Sequence, residues 1–126
     1  MVVKSLEVLR IVEWLNKMGV ENYSINDDLS VDVDGSVWLS NKGLTEIPVQ
    51  FNRVSGVFYC SYNQLTSLKG CPREVGEGFY CSSNQLTSLE GAPTRVCGIF
   101  YCSRNKVEFS EEDVRRVCKV VSNIHV

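Results

Sequence analysis

The sequence predicts an α/β fold of a particular kind: a short solenoid built on a parallel sheet, with a helix closing each end. Three observations carry that expectation. The phrase VFYCSYNQLTSL at 57–68 returns as GFYCSSNQLTSL at 78–89. The same 21-residue step finds weaker copies on either side, SVWLSNKGLTEI at 36–47 and IFYCSRNKVEFS at 99–110. At the two ends of the chain, in residues 5–18 and after Ser110, the apolar residues recur at helical instead of strand spacing. Self-similarity at a fixed short period is the signature of coils that cannot bury their apolar side alone and do so by stacking.

A chain of 126 residues ordinarily forms one continuous core, so residues 1–126 read as a single domain. It divides into an N-terminal cap helix at 1–20, a hairpin lead-in at 21–35, repeats at 36–109 and a C-terminal cap helix at 110–122. In the first segment Val8, Ile11, Val12, Leu15 and Met18 form an apolar stripe opposite Glu7, Arg10, Glu13, Asn16 and Lys17, and Gly19 supplies the stop. In the lead-in, Tyr23 and Ile25, then Leu29, Val31 and Val33, alternate with polar residues around the turn signals NDD and DG. Asp32, Asp34 and Gly35 do not complete a calcium loop, because the twelfth position counted from Ser30 is Asn41 instead of glutamate. At the far end Ser110 precedes Glu111, Glu112 and Asp113, a helix start, with Val114, Val117, Cys118 and Val121 expected inward. The single histidine, His125, is expected in a frayed terminus.

Within the repeats the apolar letters fall two apart: Val37 and Leu39, Phe58 and Cys60, Phe79 and Cys81, Phe100 and Cys102. This is the period of a strand with one face buried. Val33, Val54, Val75 and Val96 keep the same step upstream of each copy. Asn63, Asn84 and Asn105 stand at the exits of the strands, where a side-chain amide can satisfy backbone groups that the buried bend leaves open. Lys42 takes that position in the first copy, which predicts an irregular first turn.

The phrases FYCSYNQLT and FYCSSNQLT resemble the leucine-rich repeat core, with Phe and Cys at leucine positions. The short period and the phrases NQLTSLKGCP and NQLTSLEGAP are most similar to bacterial and bacteriophage leucine-rich repeats, including the recognition arms of secreted ubiquitin-ligase effectors and small stand-alone phage proteins. The resemblance covers residues 31–110 and implies a concave sheet used to bind another protein. No segment resembles a ligase domain. The small phage proteins imply a more specific role, an inhibitor that blocks a host enzyme or an antiviral defence complex in the host cytoplasm.

Strand alternation identifies the candidate surface. With Phe58 and Cys60 inward, Tyr59 and Ser61 face outward. The repeat step then lines up Trp38, Tyr59, Tyr80 and Tyr101 in one row and Ser40, Ser61, Ser82 and Ser103 beside it, bordered by Asn41, Tyr62, Ser83 and Arg104. Parallel strands lie about 4.8 Å apart, so the aromatic row spans roughly 15 Å. Trp, Tyr and Arg in one exposed patch match the composition of a protein-binding hot spot. The expected partner-binding residues are therefore Trp38, Tyr59, Tyr62, Tyr80, Tyr101, Arg104, Ser61, Ser82 and Ser103. The alternative is a homodimer closed by the same aromatic row, or by the acidic N-terminal end of one copy meeting the basic C-terminal end of another. A carbohydrate or nucleotide stacked on the tyrosines is a further way to use them.

The remaining composition excludes more than it suggests. Thirteen Lys and Arg against fifteen Asp and Glu supply no concentrated basic patch for phosphates, which argues against nucleic acid. No run reaches the roughly 20 apolar residues of a membrane span. Lys4, Glu7, Arg10 and Glu13 interrupt the first apolar stretch, so no export signal is read and a reducing cytoplasm is expected. The six cysteines contain no CxxC pair and are read as free thiols filling the core. No phosphate loop, nucleophile elbow or acid pair is arranged for chemistry. The reading is a protein with no catalytic residues, no metal and no cofactor.

Overall fold

The computed structural model describes residues 2–126. Its elements run α1 (Val2–Lys17), β1 (Tyr23–Ile25), β2 (Val31–Val33), β3 (Val37–Trp38), β4 (Phe51–Val54), β5 (Phe58–Tyr59), β6 (Glu74–Val75), β7 (Phe79–Tyr80), β8 (Arg95–Val96), β9 (Phe100–Tyr101), α2 (Glu111–Val117), β10 (Lys119–Val120) and β11 (Ile124–His125). The chain is a solenoid of five coils, each contributing one short strand to each of two sheets. The first sheet has the order β1-β2-β4-β6-β8-β10 and the second β11-β9-β7-β5-β3. All pairs are parallel except β1 with β2, an antiparallel hairpin with Tyr23 opposite Val33.

The predicted helix-capped solenoid with a parallel sheet is what the chain forms, and it carries two such sheets where the sequence reading named one. Val33, Val54, Val75, Val96 and Val120 form a buried row along the first, while Phe58, Phe79 and Phe100 form one along the second. From β6 onward each strand of the first sheet carries a single inward valine, so no apolar alternation registers in sequence. Between the sheets each coil turns a corner with almost no clearance. A Cβ at Gly56 would lie 2.7 Å from the Gly35 carbonyl carbon, and one at Gly98 at 2.7 Å from that of Glu77. Glycine is the residue that permits this approach of neighbouring backbones.

One continuous core fills the space between the sheets. Ring centroids step from Phe51 to Phe58 at 5.2 Å, to Phe79 at 5.9 Å and to Phe100 at 5.1 Å. Cys60, Cys81 and Cys102 run alongside, with Leu65, Leu68 and Leu86 completing the interior. The exits from the second sheet are held by the asparagine ladder. Asn84 Nδ2 donates to the carbonyls of Cys60, Cys81 and Ser82 at 3.0, 3.1 and 3.3 Å, and its Oδ1 accepts from the Leu65 N–H at 3.0 Å. Asn63 and Asn105 repeat the arrangement one coil away. Where Lys42 replaces the asparagine, its own N–H donates to Asn63 Oδ1 of the next coil at 3.1 Å.

The caps differ from each other. At the C-terminus of α1 the Val20 N–H bonds the Leu15 carbonyl and the Gly19 N–H bonds the Asn16 carbonyl, with Gly19 at φ +77°, a Schellman ending in which Leu15 and Val20 are both buried. Leu15, Ile11 and Met18 meet the core as the spacing predicts, and Trp14, outside the predicted stripe, packs edge-on against Phe51 at 6.4 Å. The second cap corrects the predicted 110–122 helix. α2 begins with a capping box, in which the Asp113 N–H donates to Ser110 Oγ and the Ser110 N–H donates to Asp113 Oδ2. It stops at Val117, since Cys118 is extended at φ −140° and the chain goes on to form β10 and β11. Val120 joins the valine row, so Val114 and Cys118 face inward while Val117 and Val121 stay exposed. His125, expected to fray, is a strand residue. No helix among the described residues is long and apolar enough to cross a membrane.

Candidate functional site

The outer side of the second sheet is an aromatic stack. Trp38 lies on Tyr59 at 4.1 Å and 12°, Tyr59 on Tyr80 at 5.2 Å and 17°, Tyr80 on Tyr101 at 5.8 Å and 21°. Sequence reasoning missed the fifth member, His125, which lies on Tyr101 at 4.8 Å and 15°. Its signal was hidden because the last step, from Tyr101 to His125, is 24 residues; the coil containing α2 is three residues longer than the others.

Stacking decides what the row can offer. Tyr59, Tyr80 and Tyr101 each have a ring on both sides, so their faces are occupied and only ring edges and hydroxyls point outward. Those three rings are half-buried, whereas Trp38 is 63% exposed and His125 is exposed. A sugar or base therefore has no tyrosine face on which to stack; the open ring faces of the row are those of Trp38 and His125 at its ends. The Tyr80 ring also leans over Gly78, where a Cβ would meet Tyr80 Cε1 at 2.7 Å.

Beside this row the serines correct the expected exposure. Ser61 and Ser82 are only 8% and 7% exposed, and Ser103 is half-buried. They form a floor between the aromatic row and the bordering residues, and they bond along it: the Ser103 N–H donates to Ser82 Oγ at 3.0 Å and the Ser103 hydroxyl to the same oxygen at 3.3 Å. The bordering row stands up because each member is in the left-handed region: Asn41 at φ +58°, Tyr62 at +57°, Ser83 at +55° and Arg104 at +57°. That conformation is uncommon for tyrosine and arginine. After Tyr62, Ser83 and Arg104 the asparagine of the following position locks the bend, while Lys42 follows Asn41, and the side chains are carried out of the sheet. Tyr62 is 57% exposed as a result. Tyr62, Ser82, Ser83, Tyr101, Ser103 and Arg104 together line a shallow cleft of about 470 Å³. Five of the nine sequence-selected residues, Tyr62, Ser82, Tyr101, Ser103 and Arg104, thus meet at one concavity. Trp38 stands apart at the N-terminal end of the row.

The outer side of the first sheet is different. Asp32, Arg53, Glu74, Arg95 and Lys119 occupy equivalent places on successive strands. Arg53 Nη2 lies 3.4 Å from Glu74 Oε2. Burial pushes the Asp32 carboxyl up, but hydrogen bonds from Asn52 Nδ2 and the Arg53 N–H outweigh it and hold the group below the usual carboxylate range. On this face Asp32, Arg53 and Glu74 are hydrogen-bonded or ion-paired, while Arg95 and Lys119 enter no ion pair among the described residues.

All six cysteines are free. Five are buried as expected and Cys97 is exposed, because it follows Val96 at the corner and the strand alternation turns it outward. Burial pushes the Cys102 and Cys118 thiols up to about 11 and raises those of Cys71 and Cys81 well above the ordinary range. Among the described residues no three His, Cys, Asp or Glu side chains are grouped to hold a metal ion. Comparison with protein-family models, with curated proteins and with solved structures finds no match.

Proposed function

We propose that this protein is a non-catalytic binding module that engages one partner protein through the aromatic face of its second sheet. Following the likeness of its repeats to bacterial and bacteriophage leucine-rich repeats, the partner is a host enzyme or an antiviral defence complex, which the protein blocks in the host cytoplasm. The observation that carries the reading is the cleft flanked by Tyr62, Tyr101 and Arg104, next to a row of outward ring edges, on a sheet whose conformation is fixed from below. Tyr, Trp and Arg presented rigidly lose little side-chain entropy when a partner docks, and they dominate the energy of known interfaces.

The test compares capture of a partner from host lysate by the intact chain, Tyr62→Ala and the double variant Tyr59→Ala/Tyr80→Ala, with melting temperature and sedimentation measured on each. Tyr62 lies outside the stack, so its truncation leaves the row intact. Expected is a loss of about 2 kcal/mol of affinity, roughly thirtyfold, for Tyr62→Ala with an unchanged melting temperature and mass. Folded variants that hold the partner as well as the intact chain refute the reading. A wild-type dimer that the double variant converts to a monomer replaces it with a homodimer closed by the aromatic face.

A further inference from the structure

The two sheets are not closed alike. At the N-terminal end the first sheet finishes in the antiparallel β1, whereas β3 of the second sheet has a neighbour on one side only. At the other end β11 likewise pairs with β9 alone. We propose that these two edges are complementary and that a second copy of this chain completes the sheet head to tail, β11 of one molecule adding to β3 of the next.

Three observations support this occupant over others. The first is the hydrogen-bond phase. The N–H groups of Val37 and Leu39 donate inward, to the Val57 and Tyr59 carbonyls, so Trp38 directs its own N–H and carbonyl to the open edge. On β9, Phe100 and Cys102 donate to the Asn123 and His125 carbonyls, which leaves Ile124 with its N–H and carbonyl directed outward. In the parallel register used inside the molecule, Ile124 falls opposite Val37 of the second copy and His125 opposite Trp38. The free Trp38 N–H then meets the free Ile124 carbonyl.

The second is the aromatic stack, which has one uncovered face at each end. Among the described residues, Trp38 stacks on no ring but Tyr59, and His125 on none but Tyr101. In the register above the imidazole of one copy covers the indole of the next, continuing the row across the junction. The third is charge. Residues 1–35 hold three basic and seven acidic side chains, and residues 94–126 hold six basic and four acidic. Within the latter segment Arg115 and Arg116 are paired with Glu111, Glu112 and Asp113, which leaves Arg95, Arg104, Lys106 and Lys119 against Glu108. Opposite ends attract, whereas a two-fold pairing of β3 with β3 brings two acidic ends together. A head-to-tail contact does not close on itself, so its product is a growing line of molecules.

Sedimentation of the full chain over a wide concentration range is the direct test. The weight-average mass is expected to rise without a plateau at dimer, to fall back in high salt, and to rise about tenfold later in concentration for Trp38→Ala or His125→Ala. Trp38→Cys and His125→Cys, each in a Cys97→Ser background, are then mixed with a short bis-maleimide. Cross-linked dimer in the mixture, with little in either variant alone, supports the junction. Monomer at all concentrations overturns it, and so does equal cross-linking within one variant. Either result leaves the partner-binding cleft at Tyr62 and Arg104 to stand or fall on its own experiment.

Discussion

Two consecutive residues, Phe79 and Tyr80, show how far a one-position shift changes the physics. Phe79 is fully buried between Phe58 and Phe100, and truncating such a ring costs about 3–5 kcal/mol through lost transfer energy and the cavity left behind. Tyr80 loses only stacking, about 0.2–1 kcal/mol per neighbour. Thermal melting of Phe79→Ala and Tyr80→Ala is therefore expected to show a much larger loss for the first; equal losses refute the assignment of faces. The thiols divide in the same manner. In native protein at neutral pH one cysteine, Cys97, is expected to react rapidly with a thiol reagent, and six after denaturation. The raised thiols also set an alkaline limit. Cys102 and Cys118 stay neutral in the fold up to about 11, while unfolded thiols ionise near 9, so the unfolded chain loses protons first. Stability is present in full below pH 9 and is expected to fall as pH rises from there through 11, as chemical denaturation at successive pH values will show.

Among the elements, the helices were easy to find and their ends were not. The apolar stripe and Gly19 locate α1, but Val117, Cys118 and Val121 continue a helical pattern by coincidence and carry the predicted far helix past its end at Val117. What ends it is tertiary: Val120 gains more by completing the valine row beside Val96 than a further helical turn offers. The start of α2, by contrast, is local. Its capping box makes Ser110→Ala expected to lower stability by about 1 kcal/mol, read as a drop in melting temperature. The Ser110 N–H and hydroxyl hold the Asp113 carboxyl below the usual range. The carboxylate's share of the cap is accordingly present above the ordinary carboxylate value of 3.8 and is lost as pH falls through the lowered folded value. The first sheet was illegible for a different reason: a single recurrent valine fits a strand, a turn or a helix equally well. Only the corner glycines and the stacking of coils turn that row into strands. The aromatic row was legible because alternation extends over the whole phrase. Its fifth member was not, because α2 lengthens the last step.

At the scale of the whole molecule, the repeat phase is the property that everything else depends on. Pairing of Phe58 with Phe79 and Tyr59 with Tyr80 fixes a step of 21 residues, repeated between the two caps. A chain lacking residues 57–77 is expected to fold with four coils, retain a helical circular dichroism signature and melt cooperatively at a lower temperature. Removing 57–76 instead turns the following tyrosines toward the core, and that chain is expected not to fold. The near-identity of the two central copies has a further consequence, one of inheritance. Gain or loss of one 21-residue unit between the two copies inserts or deletes one whole coil in phase. The length of the aromatic face is thereby a heritable quantity that changes in single steps, so a lineage can lengthen or shorten its contact surface without first passing through a misfolded intermediate.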